Sequence, residues 1–328
     1  MPKLLNYSIL KVVAYFDLFD YPLTVSEIHA FLDLPWDKQE VNQALDALLR
    51  SGYLFRTDVW YSLRQDPLLI RRRKDGNARA ALLIRRARRL GRWLMRFPYV
   101  RAVGVSGSLS KRWADEKADI DFFVITRENR LWISRTILHL FKKLTFLTGH
   151  QHWFCMNYWI DESALPIEEE NIFTATELIT LLPVAGPKQW NAFFGANSWV
   201  GRYFVQYGGR QGWPDAESSE PIEDLPTTMS LWKRMVEWIF SASWADRFDD
   251  FLFRLTSKRW KTKELQRRRN LKGNRMGLRT GKHYSKPNPE FFQQQVLNRF
   301  EKNMAHWEAN WNADYRDGRT AFFFREII

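Results

Sequence analysis

Residues 100–126 read as two apolar strands with a polar insertion between them, and that insertion most limits what the chain can become. Val103-Gly104-Val105-Ser106 leads into Gly107-Ser108. Ten residues later Asp119-Ile120-Asp121 opens the run Phe122-Phe123-Val124-Ile125. Burying an unpaired polar group costs roughly 2–7 kcal/mol, and a charge costs more, so an aspartate at the mouth of a buried strand needs a partner. Two aspartates at i and i+2 on an extended chain project from the same face. Paired carboxylates are hard oxygen donors, suited to a Mg²⁺ that also carries substrate phosphates. A Gly-Ser turn leaving a strand points backbone N–H groups and a hydroxyl at a phosphate. Gly-Ser turns and Asp-x-Asp triplets are each common; the strand–turn–helix–strand setting distinguishes this pair.

Gly-Ser, ten residues, then Asp-hydrophobic-Asp-hydrophobic resembles the nucleotidyltransferase superfamily, whose fold is shared with DNA polymerase β. The spacing is closest to that of its minimal nucleotidyltransferases. The resemblance rests on residues 98–126 and extends by element order to about residue 165. It implies that Asp119 and Asp121 hold Mg²⁺ or Mn²⁺ and act catalytically, and that Gly107 and Ser108 touch the triphosphate of an NTP. Lys111 stands where the family often has a basic residue near the phosphates. The sequence departs from the pattern at Arg112, where a Gly is usual, and at Ala118, where a Ser is usual. The resemblance also implies a third carboxylate on the next strand, which completes the metal site and takes the acceptor's proton. That strand, Trp153 to Asp161, has Asn157 at its centre. An amide can offer a carbonyl oxygen to a metal but cannot serve as a base. Asp161 shares a face with Asn157 but falls about 13 Å further along, so it reads as a loop start or cap. His150 and His152 precede the strand and read as surface-loop residues.

Charge is concentrated rather than spread. Residues 71–101 carry twelve Lys/Arg against Asp75, and residues 258–282 carry eleven against Glu264, so the two segments hold +21 and the rest of the chain −8 of the net +13. Basic blocks on an otherwise acidic chain fit a polyanion: nucleic acid, a nucleotide triphosphate or an acidic membrane surface. A solvated helix face is the commoner fate of a charge run. Gly273, Gly277 and Gly281 give the second block the look of a mobile loop. The single Cys155 excludes an intramolecular disulfide and a cysteine zinc cluster. No uncharged apolar run reaches the ~18 residues of a membrane span, and no signal-peptide core follows Met1, so the expected setting is cytoplasmic.

Ahead of the motif, residues 1–66 predict three helices and a hairpin. Tyr7 to Phe19 forms the first helix. Thr24-Val25-Ser26-Glu27 is a capping box for the second, Asp37 to Glu40 caps the third, and Gly52 ends it in a left-handed conformation. This order resembles a winged helix. Its third helix carries Asp37, Glu40 and Asp46 against Lys38 and Arg50, which favours a protein partner over the DNA contact such helices often make.

Residues 67–97 predict a long arginine-rich helix with Ala80, Leu83, Ala87, Leu90 and Leu94 as its apolar stripe. Residues 127–148 predict another, with Leu131, Ile137, Leu138, Phe141 and Leu144 inward. Beyond residue 165 the pattern is helical: Thr174 to Leu182 ended by Pro183, Lys188 to Phe204, a Trp- and Phe-rich pair over 229–255, and 289–310. Asp215 to Pro226 reads as a linker. The expectation is an α+β chain. A nucleotidyltransferase-type small mixed sheet with helices over 67–165 is preceded by a winged-helix-like domain over 1–66 and followed by a helical domain over 166–328. Its implied activity is transfer of a nucleoside monophosphate from an NTP to a hydroxyl of RNA, protein or a small molecule. The alternative is a nucleotide- or nucleic-acid-binding regulator with a degenerate site.

Overall fold

The computed structural model describes residues 2–145, 155–207, 213–214, 231–241, 244–266, 278–287 and 291–316. The protein is mixed α+β. It divides into one compact unit of Met1–Asp75, Val200–Arg210 and Gln293–Ile328, and a second of Gly76–Trp199 and Gln211–Phe292. His150, His152, the 215–226 segment, Gly273 and Gly277 lie outside the described residues, as does the side chain of Leu144.

In the first unit, α1 (Pro2–Asp17), α2 (Val25–Ala30) and α3 (Lys38–Arg50) precede the two-stranded antiparallel pair β1 (Phe55–Thr57) and β2 (Trp60–Ser62). Both expected capping boxes form: Thr24 with Glu27, and Asp37 with Glu40. Gly52 has φ +73°. Ile9, Leu23, Ile28, Leu32, Val41 and Leu45 are completely buried. Glu27 does more than cap. Its Oε1 accepts from Arg73 at 2.5 Å with both side chains buried, and the Arg73 guanidinium lies 3.7 Å from the centre of the Tyr21 ring. Arg73 also donates to the carbonyl of Pro22, and Arg72 to those of Phe19 and Asp20. The start of the first basic block is therefore structural glue rather than free charge.

The division falls within α4 (Pro67–Leu94). In the second unit β3 (Val100–Val105), α5 (Gly107–Ser110), β4 (Asp121–Thr126), α6 (Leu131–Thr145) and β5 (Cys155–Asp161) follow in the expected order. Then come α7 (Ile172–Ile179), β6 (Leu182–Ala185), α8 (Pro187–Ala196), α9 (Leu231–Ile239), α10 (Trp244–Leu265), β7 (Leu278–Thr280) and β8 (Tyr284–Pro287); α11 (Phe292–Arg316) follows in the chain and belongs, from Gln293 on, to the first unit. The six-stranded sheet has the order β6-β3-β4-β5-β8-β7; β4 and β5 are parallel and every other pair is antiparallel.

Both sheet faces are covered, as strand alternation requires. One packs Val103, Val105, Phe122 and Val124 with Ala80, Ala87 and Leu94 of α4 and Leu131, Trp132 and Leu138 of α6. On the other, Phe123 stacks on Tyr158 at 4.6 Å and meets Trp190 and Phe193 of α8. Gly104 admits that packing: a Cβ there would stand 2.6 Å from the Trp190 ring.

Three strands depart from the helical pattern expected beyond residue 165. Leu182 and Pro183 do not close a helix, since α7 is capped by Asn171 and ends at Ile179, and the chain then pairs with β3. Pro183 is tolerated because β6 is the sheet edge, where a missing N–H costs no ladder bond. Residues 278–287 form a hairpin that extends the sheet beyond β5 rather than a loop. Within the second basic block, residues 258–265 are helical, being the last turns of α10.

On α6, His139 has its Nε2 buried without a hydrogen-bond partner. Burial, reinforced by Arg135, Lys142 and Lys143, pushes its pKa down to about 3. The folded protein therefore holds a neutral imidazole, while the unfolded chain takes a proton below its ordinary value of about 6.5. Stability from this site is complete above that value. It falls as pH drops toward 3, by at most about 1.4 kcal/mol per pH unit. Urea unfolding of His139→Leu should show a shallower loss of stability between these pH values than the parent.

Candidate functional site

The turn after β3 is shaped by two constraints on Gly107. Its φ is +71°, a left-handed value that favours glycine. A Cβ there would also lie 2.9 Å from Oδ2 of Asp121. The Gly107 backbone and the Asp121 carboxylate thus approach more closely than any side chain permits. The amide of Ser106 donates to the carbonyl of Asp121 at 2.9 Å, tying the turn to the first residue of β4. Within α5, Leu109 and Ser110 are buried and Ser108 is exposed. The amides of Lys111 and Trp113 both donate to the carbonyl of Ser108, closing the turn.

Arg112 has φ +56°. The position where the resemblance leads one to expect glycine does adopt a glycine-type backbone, here imposed on an arginine. A left-handed non-glycine residue costs about 1–2 kcal/mol. Lys111 folds back over the turn, its Nζ donating to the Gly107 carbonyl at 3.1 Å and pairing with Glu177 of α7 at 2.8 Å.

Asp119 and Asp121 are half-buried and flank the buried Ile120. Asn157 does reach this pair, by an irregular route. In the β4–β5 ladder Phe122 is opposite Met156 and Phe123 is opposite Tyr158, so Asn157 is an extra residue in the strand. A bulge re-aims the side chain it carries. Here Asn157 Nδ2 donates to Oδ1 of Asp121 at 2.5 Å, while its Oδ1 accepts from the Cys155 thiol at 3.2 Å. Burial, followed by the charges of Asp121 and Asp119, pushes that thiol up to about 12. Cys155 is therefore a protonated donor at neutral pH and fixes which end of the amide faces the aspartate.

Asp161 is elsewhere. Its buried carboxylate accepts from the Asn129 amide, from the Ser163 amide and hydroxyl, and is paired with His283 Nδ1 at 2.8 Å. It pins the end of β5, as a cap would. Among the described residues no group of three or more His, Cys, Asp or Glu side chains is arranged to hold a metal ion. The donors present at the turn are two carboxylates. That set fits Mg²⁺, which keeps several waters and is commonly held by one or two carboxylates together with substrate phosphates.

Cys155 and Glu177 carry no signal in the spacing of the motif. They join the site only because β5 lies parallel to β4 and because α7 brings Glu177 to Lys111. No protein-family model, curated protein or solved structure matches the chain.

Two substitutions test the backbone at the turn. Gly107→Ala should lower the unfolding free energy by about 1–2 kcal/mol through the left-handed penalty, with a further loss from crowding Asp121. Arg112→Gly should instead be neutral or stabilising by up to about 1 kcal/mol. Chemical denaturation of the two variants beside the parent reads both.

Proposed function

We propose that the protein is a metal-dependent nucleotidyltransferase that moves a nucleoside monophosphate from an NTP to an acceptor hydroxyl. The observation that carries this reading is the approach of the Gly107 backbone to the Asp121 carboxylate, with Asp119 two residues before it. A turn with an exposed Ser108 and a pair of hard oxygen donors then share one place, as a metal–triphosphate requires.

In this mechanism the N–H groups around Gly107 and the Ser108 hydroxyl grip the phosphate oxygens, and Lys111 adds a positive charge over the same turn. Asp119 and Asp121 would hold Mg²⁺ or Mn²⁺, whose chemistry there would be neutralisation of charge on the triphosphate. Asn157 holds Asp121 in one rotamer through its amide hydrogen bond, which keeps one carboxylate oxygen committed and leaves orientation little freedom. The acceptor oxygen bonds to the α-phosphorus as the bond to the β-phosphate bridge breaks, and pyrophosphate departs. The acceptor's proton passes to solvent or to a phosphate oxygen, since Asn157 is no base.

A second reading has its own support. The hydrogen bond from Asn157 occupies the strand position where the resemblance implies an acid. A site so built suits a protein that binds a nucleotide without rapid transfer. The three helices and hairpin of residues 2–62 would then supply contact with a protein partner, and exposed arginines on α4 such as Arg85, Arg86 and Arg89 contact with nucleic acid.

Incubation with α-labelled NTPs, Mg²⁺ and total cellular RNA or protein separates these readings. Transfer of label to either pool is the expected result. Asp119→Ala should reduce it by roughly 10²–10³-fold, the scale of losing a principal electrostatic contact to the transition state, with the fold intact by circular dichroism. Saturable nucleotide binding without transfer favours the second reading, and full activity in Asp119→Ala excludes the mechanism.

A further inference from the structure

Helix α9 is built inside out. Its inward side carries Lys233, only 6% exposed, whose Nζ donates to the carbonyls of Met95 and Val100. Glu237 on the same side forms a two-pronged pair with Arg101 and accepts the Tyr99 amide. The outward side carries Leu231, Trp232, Met235, Trp238 and Ile239, of which Leu231 is 83% and Trp238 77% exposed. The spacing i, i+1, i+4, i+7, i+8 puts all five on one side of the helix. An amphipathic helix of a globular protein normally turns its apolar side to the core; here the polar side holds the helix in place and the apolar side faces out.

The next helix continues the pattern. On α10 the exposed Trp244, Phe251 and Leu255 alternate along one stripe with the exposed Arg247, Arg254 and Lys258. The acids of α10 are engaged elsewhere: Asp246 pairs with Arg130, Asp249 accepts the Ile133 amide, and Asp250 pairs with Lys282. Glu264 lies in the last turn, on the far side of the helix from the stripe. Phe240 packs on Trp244 at 5.0 Å and on Phe248 at 5.7 Å, fixing the corner between the two helices.

We propose that the outward faces of α9 and α10 dock on an anionic lipid surface. Apolar side chains with interleaved Arg and Lys match the acyl boundary and the phosphate headgroups respectively, and tryptophan is enriched at that interface. Each basic residue near an anionic leaflet adds attraction that salt screens. A second copy of the chain is the poorer complement, because a two-fold contact sets this basic stripe against itself. Nucleic acid would use the basic groups and the tryptophans but has no use for exposed Leu231, Met235, Ile239 and Leu255, which offer no ring for a base to stack on.

Co-sedimentation of the full chain with vesicles tests this independently of nucleotide chemistry. Binding should be at least about tenfold tighter to phosphatidylcholine–phosphatidylserine vesicles than to phosphatidylcholine alone, and should weaken with salt. Met235→Ser with Trp238→Ser should lower it by at least about tenfold, and Arg247→Gln with Arg254→Gln should remove most of its salt dependence. All four side chains are exposed, and circular dichroism verifies that each variant folds. Equal binding to neutral and anionic vesicles, or binding unchanged in both variants, overturns the proposal. So does a dimer, or retention on RNA, that Met235→Ser with Trp238→Ser abolishes in the absence of lipid binding.

Discussion

The rung in which the Ser106 amide donates to the Asp121 carbonyl ends the pairing of β3 with β4 and brings the Gly107 turn onto the Asp121 carboxylate. Every other feature of the candidate site is referred to that contact. Gly107 is required because its backbone stands where a Cβ would strike Oδ2. Lys111 folds over the same turn, and Asn157 braces the same carboxylate from β5. The pairing is held by Val103, Val105, Phe122 and Val124, buried against α4 and α6. The polar chemistry is thus carried on the rim of an apolar sheet, where rigid strands position it and solvent can reach it.

Among the described residues, several charged groups from the segments richest in charge are taken up by partners within the fold. Arg73 closes on Glu27, Arg101 on Glu237, and Lys233 on two backbone carbonyls. Breaking a buried pair leaves an uncompensated charge and costs far more than an exposed pair contributes. A count of arginines in a sequence therefore overstates the charge available to a partner. The α9–α10 stretch shows the converse, with Lys233 and Glu237 engaged inward on α9 and its apolar side chains left outside.

Much of the architecture was legible in local pattern. Both capping boxes of the first unit, the left-handed Gly52, the apolar stripe of α4 and the order strand, turn, strand, helix, strand through residue 161 all appear where hydrophobic spacing and capping chemistry put them. The misses share one cause. Strands β6, β7 and β8 are only three or four residues long. A strand that short has too few alternations to be told from a loop or a helix end, and it exists only because a neighbouring strand offers unpaired backbone groups. Pro183 looked like a helix stop because its edge position is invisible in sequence.

For the candidate site the division is similar. The sequence by itself determined the residue types and their order: a glycine where the backbone turns left-handed, two aspartates two residues apart, and a lysine within reach of the turn. Those follow from the stereochemistry of neighbouring residues. The tertiary structure decided what meets what across the sheet. A one-residue bulge in β5 aims Asn157 at Asp121, the buried Cys155 thiol sets the amide's orientation, and α7 supplies Glu177 to Lys111. Register between strands far apart in sequence depends on the packing of the whole sheet, and a single extra residue changes which side chain arrives at a carboxylate.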